Sequence, residues 1–223
     1  MNIKEILQQT SNVDVILKIR DYKSTFISVL KTRSKLQISL HKLFLDSPDD
    51  VKKAVISYCL KRDKKSHLQI KTYAYKYFET ADYTHRLDVK KLKSKGICFD
   101  LKHIMENLNL IYFKDSLNLS ITWFEKPKYT KFRHFTFGSF DKSLKLVRIN
   151  ALLDNSNFPF YFINYIVYHE MLHAMYPEKI DENGKRKIHT PFFKKKEKEF
   201  AYYRDSQEFE KKFLKKRKFY GWT

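Results

Sequence analysis

The sequence predicts an α+β fold from the order in which strand-like and helix-like stretches follow one another. Residues 13–19 and 36–40 alternate apolar and polar side chains as half-buried strands do, and residues 25–31 are rich in β-branched and aromatic residues. The C-terminal half reads as a helix, three strands and two further helices, with a last helix after them. This order favours helices packed against one side of a small sheet.

The N-terminal elements form a region of their own. We predict that its three strands make a short antiparallel meander, which two helices follow. The first helix is expected to begin with Ser47 as the side-chain cap and Pro48 in the first turn, and the second runs from about Ser66 to Glu79. A polar, basic stretch without periodicity comes next. We therefore divide the chain into an N-terminal accessory region, residues 1–95, and a C-terminal domain, residues 96–223.

The C-terminal domain is expected to begin with a helix that Asp100 caps. Three strands are predicted after it, within Leu117–Trp123, Phe135–Phe137 and Leu144–Ile149. Leu144–Ile149 is our candidate for an exposed sheet edge, to which an extended peptide could add as a further strand, with plain sheet core as the alternative. Ser206 is expected to cap the last helix.

A short polar motif interrupts the longest apolar run of the chain. His169, Glu170 and His173 follow the apolar residues 158–168 and form the pattern HExxH. On a helix the two histidines lie one turn apart on the same face, so both imidazoles can reach one cation. Burying polar side chains on a helix costs free energy unless they have a bonding partner, and a metal ion would be such a partner. The pattern therefore predicts a divalent metal site, against the alternative of two satisfied histidines on an ordinary amphipathic helix.

A catalytic zinc site needs a third protein ligand and an open fourth position. His189 is the best candidate, because Thr190 and Pro191 after it form a helix start that would hold it at the mouth of a second helix. A glutamate ligand, Glu197 or Glu199, is the competing arrangement. The residues alone leave this choice open.

Three segments of the C-terminal half carry a family resemblance. HEMLHAMYPEK and HTPFFKKKEKEF, with FGSFDKSLKLVRINALLD upstream, resemble the SprT-like metallopeptidase family, over about residues 116–203. The resemblance implies a zincin-like half-domain with a small sheet over the HExxH helix, beside the N-terminal strand-and-helix accessory region. It also implies that His169, His173 and His189 bind Zn2+ and that Glu170 is the general base.

The leading hypothesis is a zinc-dependent metallopeptidase that hydrolyses peptide bonds in a protein or peptide substrate. The metal activates a water molecule, and Glu170 takes its proton. Tyr202, Tyr203, Arg204 and His134 are candidates for stabilising the oxyanion, although each also fits a structural role. The alternative is a nucleic-acid-binding or adaptor protein with a structural metal site. Glu170 distinguishes the peptidase from the structural-site protein. A structural zinc site is closed by a fourth protein ligand and does not need a general base such as Glu170.

The charge of the chain favours an acidic partner. The formal net charge is +20 at pH 7, and basic residues are dense in Lys185–Lys218, with aromatic residues between them. This mixture is typical of phosphate contact with base stacking, and also of an ordinary solvated helix. Nucleic acid is therefore a candidate partner through this basic surface. With only 4 glycines in the chain, a Gly-rich phosphate-binding loop is not expected.

The cysteines and the apolar runs indicate in which cellular compartment the protein is expected. Cys59 and Cys98 form no CxxC pair, so we expect two buried thiols and no cysteine-based zinc site. The N-terminus has no apolar signal region, and the longest apolar run is too short to span a bilayer. We expect a soluble, cytoplasmic protein without a membrane partner.

Overall fold

The computed structural model describes most of the chain, namely residues 2–21, 26–125, 135–180 and 186–220. The chain is α+β, and its described part contains helices and two small three-stranded sheets. Two compact units are present, Met1–Ala81 with Ile180–Arg186 and Asp82–Lys179 with Lys187–Thr223.

The division between the units falls at residues 81 and 82, whereas the boundary predicted from the sequence lies at residues 95 and 96. The polar stretch before residue 96 is tied to the second unit by hydrogen bonds. The amide of Tyr83 donates to the carbonyl of Ser143 (2.7 Å), and the amide of Trp123 donates to the carbonyl of Lys93 (2.8 Å). Such backbone bonds leave no periodic signal in the sequence, so the stretch resembles a linker there.

The first unit combines one sheet with helices. Its elements in chain order are α1 (Ile3–Thr10), β1 (Asp14–Arg20), β2 (Ile27–Lys31), β3 (Lys35–His41), α2 (Asp49–Lys61) and α3 (Lys64–Thr80). The three predicted strands are present, but the predicted antiparallel meander is wrong. β3 lies in the centre of the sheet, parallel to β1 and antiparallel to β2. Alternating apolar residues are compatible with either direction of pairing, so the pattern could not reveal this order.

The second unit contains the predicted metal motif. The helices and strands from residue 101 onward are α4 (Leu101–Phe113), β4 (Ser120–Phe124), β5 (Gly138–Asp141), β6 (Leu146–Asn150), α5 (Phe160–Met175), β7 (Lys179–Ile180), β8 (Arg186–Lys187), α6 (Pro191–Glu197) and α7 (Tyr203–Tyr220), of which Ile180 and Arg186 belong to the first unit. Asp100 caps α4 as predicted, and its carboxylate accepts hydrogen bonds from the amides of Lys102 and His103.

The sheet of the second unit has the order β4-β6-β5, with β4 parallel and β5 antiparallel to β6. Of the two alternatives for Leu144–Ile149, the exposed edge is therefore wrong and the sheet core is confirmed, because β6 is the central strand. Burial explains this position, since Leu146, Val147 and Ile149 are all buried, as is usual for a strand with neighbours on both sides. The edges of this sheet are β4 and β5.

Helix α5 runs through the core of the second unit. Elements α4, β5, β6, α6 and α7 all pack against it. Its buried residues are Phe162, Ile163, Tyr165, Ile166, Val167, Tyr168, Glu170, Met171 and Leu172. A helix that is apolar around most of its circumference is buried around most of its circumference, which explains the long apolar run before the HExxH motif.

Two predicted helix caps are wrong. The hydroxyl of Ser47 donates to the carbonyl of Phe44 (2.9 Å), and Pro48 holds the cap position of α2 without a side-chain hydrogen bond. Ser206 lies inside α7, which already begins at Tyr203, and its side chain is fully buried. Ser47 thus bonds to the preceding turn and Ser206 is an interior residue of its helix, a distinction that the residue type alone does not make.

The two cysteines differ in environment. Cys59 is buried as predicted, and burial raises the pKa of its thiol to about 12. Cys98 is exposed, so its predicted burial is wrong. Within the described residues, no helix combines the length and the apolar character that crossing a membrane requires.

Candidate metal centre

Three histidine side chains of the second unit converge. Helix α5 places His169 and His173 one turn apart, with ring centroids 5.0 Å from each other. His189, just before α6, has its ring 5.0 Å from that of His169 and 5.1 Å from that of His173. One nitrogen from each ring can be chosen so that all three lie within 4.8 Å of one another, a grouping that could hold a metal ion.

The start of α6 fixes His189 in this position. Thr190 caps the helix by accepting a hydrogen bond from the amide of Phe193 (3.1 Å), and Pro191 occupies the first turn. Both roles agree with the sequence prediction. The fully buried ring of Phe193 lies 5.3, 4.6 and 4.9 Å from the rings of His169, His173 and His189, respectively. Phe193 thus forms an apolar floor beneath the three imidazoles.

The two glutamates weighed as alternative ligands lie outside this group of nitrogens. Glu197 accepts a hydrogen bond from His169 Nδ1 through its Oε1 atom (2.7 Å), so it contacts the back of one imidazole. Glu199 is exposed and forms an ion pair with Lys196 (3.0 Å). The geometry therefore brings His189, rather than either glutamate, to the nitrogens of the HExxH motif.

The donor set fits zinc better than a hard cation. Imidazole nitrogens suit Zn2+ and related transition metals, whereas Ca2+ and Mg2+ take oxygen ligands. His169 and His173 are partly exposed and His189 is exposed, so solvent reaches the cluster. Three nitrogen ligands with a solvent-facing side match the coordination of a catalytic zinc ion.

Burial and mutual repulsion govern protonation of the imidazoles. Burial, together with the charges of His169 and His189, lowers the pKa of His173 to about 3. Burial and the charge of His169 also lower the pKa of His189. Burial opposes protonation of His169 too, but the hydrogen bond to Glu197 and nearby carboxylate charges outweigh it, and the pKa of His169 is raised. The cluster therefore favours neutral rings at His173 and His189, the form that binds a metal.

Glu170 lies in a buried position that a glycine makes available. Its side chain occupies the space next to Gly138 on β5, where an added Cβ would lie 2.8 Å from both Cγ and Oε1 of Glu170. Burial raises the pKa of the Glu170 carboxyl to about 7, against the opposing effect of a charged His169. The absent side chain at Gly138 thus provides the space that this acid occupies.

The candidates for oxyanion stabilisation are spread over different environments. Tyr203 is partly buried, and burial together with the charge of Glu197 raises the pKa of its hydroxyl. Tyr202 and Arg204 are exposed. His134 lies outside the described residues. Tyr203 also packs against α5, where its ring lies 6.1 Å from that of Tyr165.

Three further residues lie around the site. The hydroxyl of Tyr165 donates to Glu197 (2.8 Å), the side-chain amide of Gln207 donates to that hydroxyl (2.8 Å), and Gly138 lies next to Glu170. Tyr165 precedes His169 by one helical turn, so the spacing alone could have indicated that it lies on the same face as the metal ligand candidate. Gln207 and Gly138 come from α7 and β5, and only the packing of those elements against α5 brings them to the site. No local pattern marks them.

A scan against protein-family models and searches of curated proteins and of solved structures found no match for this chain.

Proposed function

We propose that this chain is a zinc-dependent metallopeptidase with a zincin-like catalytic half-domain. The observation that carries the proposal is the convergence of His169, His173 and His189, with Glu170 following the first of them. The SprT-like sequence resemblance supports the same reading. Its three zinc ligands and its general base correspond to these four residues.

The site has the composition of a catalytic centre rather than of a structural one. His169, His173 and His189 would hold the zinc ion, which supplies a Lewis acid that lowers the pKa of a water molecule. A structural zinc site is normally closed by a fourth protein ligand. Among the described residues, the group that could hold a metal contains three histidines and no fourth member. This difference favours the peptidase over an adaptor protein with a structural metal.

Glu170 moves the proton in the proposed reaction. Its carboxylate accepts a proton from the attacking water as the water oxygen bonds to the amide carbonyl carbon. Glu170 then donates the proton to the leaving nitrogen as the carbon–nitrogen bond breaks. Burial and the space at Gly138 hold the carboxylate beside His169, which supports this role.

Strand β5 is the edge on which we expect an extended peptide to lie. It is one of the two sheet edges, and its first residue, Gly138, is next to Glu170. A peptide that pairs with β5 would have its backbone fixed by strand hydrogen bonds and one of its amides near the metal centre. β5 thus takes the role that the sequence had suggested for Leu144–Ile149.

The proposed activity is tested by restoring zinc to metal-stripped protein. An unstructured protein substrate is incubated with the chain, with and without DNA, and new peptide termini are identified by mass spectrometry. We expect cleavage to return with added zinc and to saturate at one ion per chain. Zinc that raises thermal stability without producing new termini in either condition would favour the structural metal site instead.

Replacing Gly138 with alanine tests the placement of Glu170. The added methyl group forces the Glu170 side chain to shift, and small misplacements of catalytic groups cost about 100-fold in rate. We therefore expect turnover to fall by about that factor. Zinc affinity should stay near wild type, because the three imidazoles are untouched.

Ser139→Ala is the matched control for this substitution, since adjacent residues of a strand face opposite sides of the sheet. Steady-state cleavage and zinc competition measured on both variants separate the two effects. Wild-type turnover in Gly138→Ala would mean that the position of Glu170 does not matter.

A second candidate function, nucleic-acid binding, rests on the basic surface of α7. Lys211, Lys212, Lys215 and Lys216 are all exposed on this helix. The segment suggested by the sequence also includes Arg217 and Lys218, whose side chains lie outside the described part of the structure. Clustered exposed lysines favour contact with phosphates.

Neutralising Lys215 and Lys216 tests this second function. If they contact phosphates, Lys215→Gln/Lys216→Gln should weaken binding to a labelled oligonucleotide and reduce the salt dependence by about two ionic contacts. Lys64→Gln/Lys65→Gln, which removes the same charge from exposed positions on α3, is the control. Equal losses in both variants would point to net charge alone, and no binding by the wild type at low salt would rule out this function.

A further inference from the structure

A chain of hydrogen bonds leads from His169 across three helices. His169 Nδ1 lies 2.7 Å from Glu197 Oε1, and the hydroxyl of Tyr165 donates to the same oxygen (2.8 Å). The side-chain amide of Gln207 donates to the Tyr165 hydroxyl (2.8 Å). These four residues, called here the Glu197 network, connect α5, α6 and α7.

The donor and acceptor roles in the Glu197 network can be assigned from chemistry. Gln207 uses an amide hydrogen, so the Tyr165 hydroxyl is the acceptor there and directs its single hydrogen to Glu197. An ionised carboxylate only accepts, so the bond between His169 and Glu197 requires a hydrogen on Nδ1. In the neutral ring, Nε2 of His169 is then left with its lone pair, which is the state that a metal ligand needs.

His169 differs in this respect from the other two histidines. The described hydrogen bond of His173 and of His189 joins their Nε2 atoms to each other, at 3.3 Å. Their rings otherwise pack against Phe193. In the described part of the chain, a carboxylate partner is therefore found behind His169 and not behind the other two.

The surroundings hold the Glu197 carboxylate in place. The side chain of Glu197 is largely buried, with 13% of its surface exposed, and Tyr165 is buried in the core. A second tyrosine, Tyr168, donates from its hydroxyl to the carbonyl of Lys196 (2.7 Å), which fixes the backbone next to Glu197. These bonds fix the end of α6 against α5, and the position of Glu197 with it.

We propose that Glu197 is a positioning residue that sets the tautomer and the ring orientation of His169, and that Tyr165 and Gln207 hold Glu197 for this purpose. Residues behind a metal-bound histidine commonly act in this way, and their loss typically weakens metal binding by about 10–100-fold. Helix α7 is thereby part of the metal centre through Gln207. The proposal deepens the proposed function and rests on it only for the binding of a metal ion.

The tautomer of His169 is the readout that a merely structural role would not change. Long-range nitrogen–proton NMR of the metal-free protein, at alkaline pH where the rings are neutral, should show His169 protonated at Nδ1. Glu197→Leu removes the acceptor, so the proton should redistribute to Nε2. Glu197→Gln retains an oxygen that can accept, so it should keep the wild-type tautomer. His169→Gln identifies the signal by its loss.

Zinc affinity, measured by competition with a chelator, is the second readout. Glu197→Leu should bind zinc about 10–100-fold more weakly than wild type, with Tyr165→Phe showing a smaller loss in the same direction. Glu199→Leu, which removes an exposed glutamate shortly after α6, should leave both the tautomer and the affinity unchanged. If Glu197→Leu does not fold, Tyr165→Phe carries the test, because it keeps the buried ring.

The two proposals fail in different ways. Folded Glu197→Leu or Tyr165→Phe protein with the wild-type tautomer and wild-type zinc affinity would overturn the positioning role. A wild-type protein that shows the Nδ1 tautomer and binds zinc, but cleaves no substrate, would contradict the peptidase and leave the role of Glu197 intact.

Discussion

Replacing Glu170 with glutamine should abolish cleavage while zinc still binds at one ion per chain. Glutamine has the shape of glutamate and fits the same space beside Gly138, but its amide cannot accept a proton from the attacking water. General acid–base catalysis contributes about 10²–10⁴-fold, so a loss of at least that size is expected. The measurement is steady-state cleavage together with the zinc content of the purified variant.

Glu106→Gln provides the control for this experiment. Glu106 is exposed on α4, so its replacement removes the same charge from the same unit at a distance from the histidine cluster. It should cleave substrate at the wild-type rate. Activity of Glu170→Gln at the level of this control would refute the assignment of Glu170 as the general base.

Replacing His189 with alanine should have the largest effect on metal binding. Loss of one of three ligands leaves two imidazoles on α5 and a solvated ion, so zinc affinity should fall by more than the roughly 100-fold upper range for partners behind a ligand. The stabilisation against thermal unfolding that zinc gives the wild type should be lost with it. Chelator competition and zinc-dependent melting curves measure the two effects.

His85→Ala is the control for this experiment, because His85 belongs to the second unit but lies outside the histidine cluster. It is exposed in a short turn after residue 83, so His85→Ala should bind zinc as the wild type does. If His189→Ala also retained wild-type affinity, the third ligand would have to come from another residue, and the SprT-like arrangement would lose its main support.

The sequence predicts those parts of the site that depend on residues close to one another in the chain. The spacing of His169 and His173 follows from one helical turn. The position of His189 at the start of a helix follows from Thr190 and Pro191, whose cap geometry the structure confirms, whereas its choice over Glu197 or Glu199 also rests on the family resemblance. Each of these inferences needs only a few neighbouring residues.

The parts that the sequence does not predict depend on which elements are neighbours. Alternation along a strand identifies its buried face but not its place in a sheet, so the sequence leaves β6 as either an edge or a core strand, and the structure places it in the centre. The role of Glu197 shows the same limit. By residue type it was a possible ligand, and only the packing of α6 on α5 brings it to Nδ1 of His169.

Gly138 illustrates why contacts between different helices and strands cannot be recognised in a single sequence. Gly138 stands at the start of β5, directly after the stretch Phe135–Phe137 that the sequence predicts as a strand. Its function depends on the distance to Glu170, which lies on a different element. The same holds for Gln207, which is an ordinary polar residue of α7 until the helix packs against Tyr165.

A crystal structure of the zinc-loaded protein, with anomalous diffraction recorded at the zinc edge, tests the central claim most directly. The account predicts one zinc peak bonded to a nitrogen of His169, His173 and His189 at about 2.0–2.1 Å, with no protein atom at the fourth position. His169 should bind through Nε2 and keep its Nδ1 bond to Glu197. A glutamate at the third position, or a fourth protein ligand that closes the site, would contradict it.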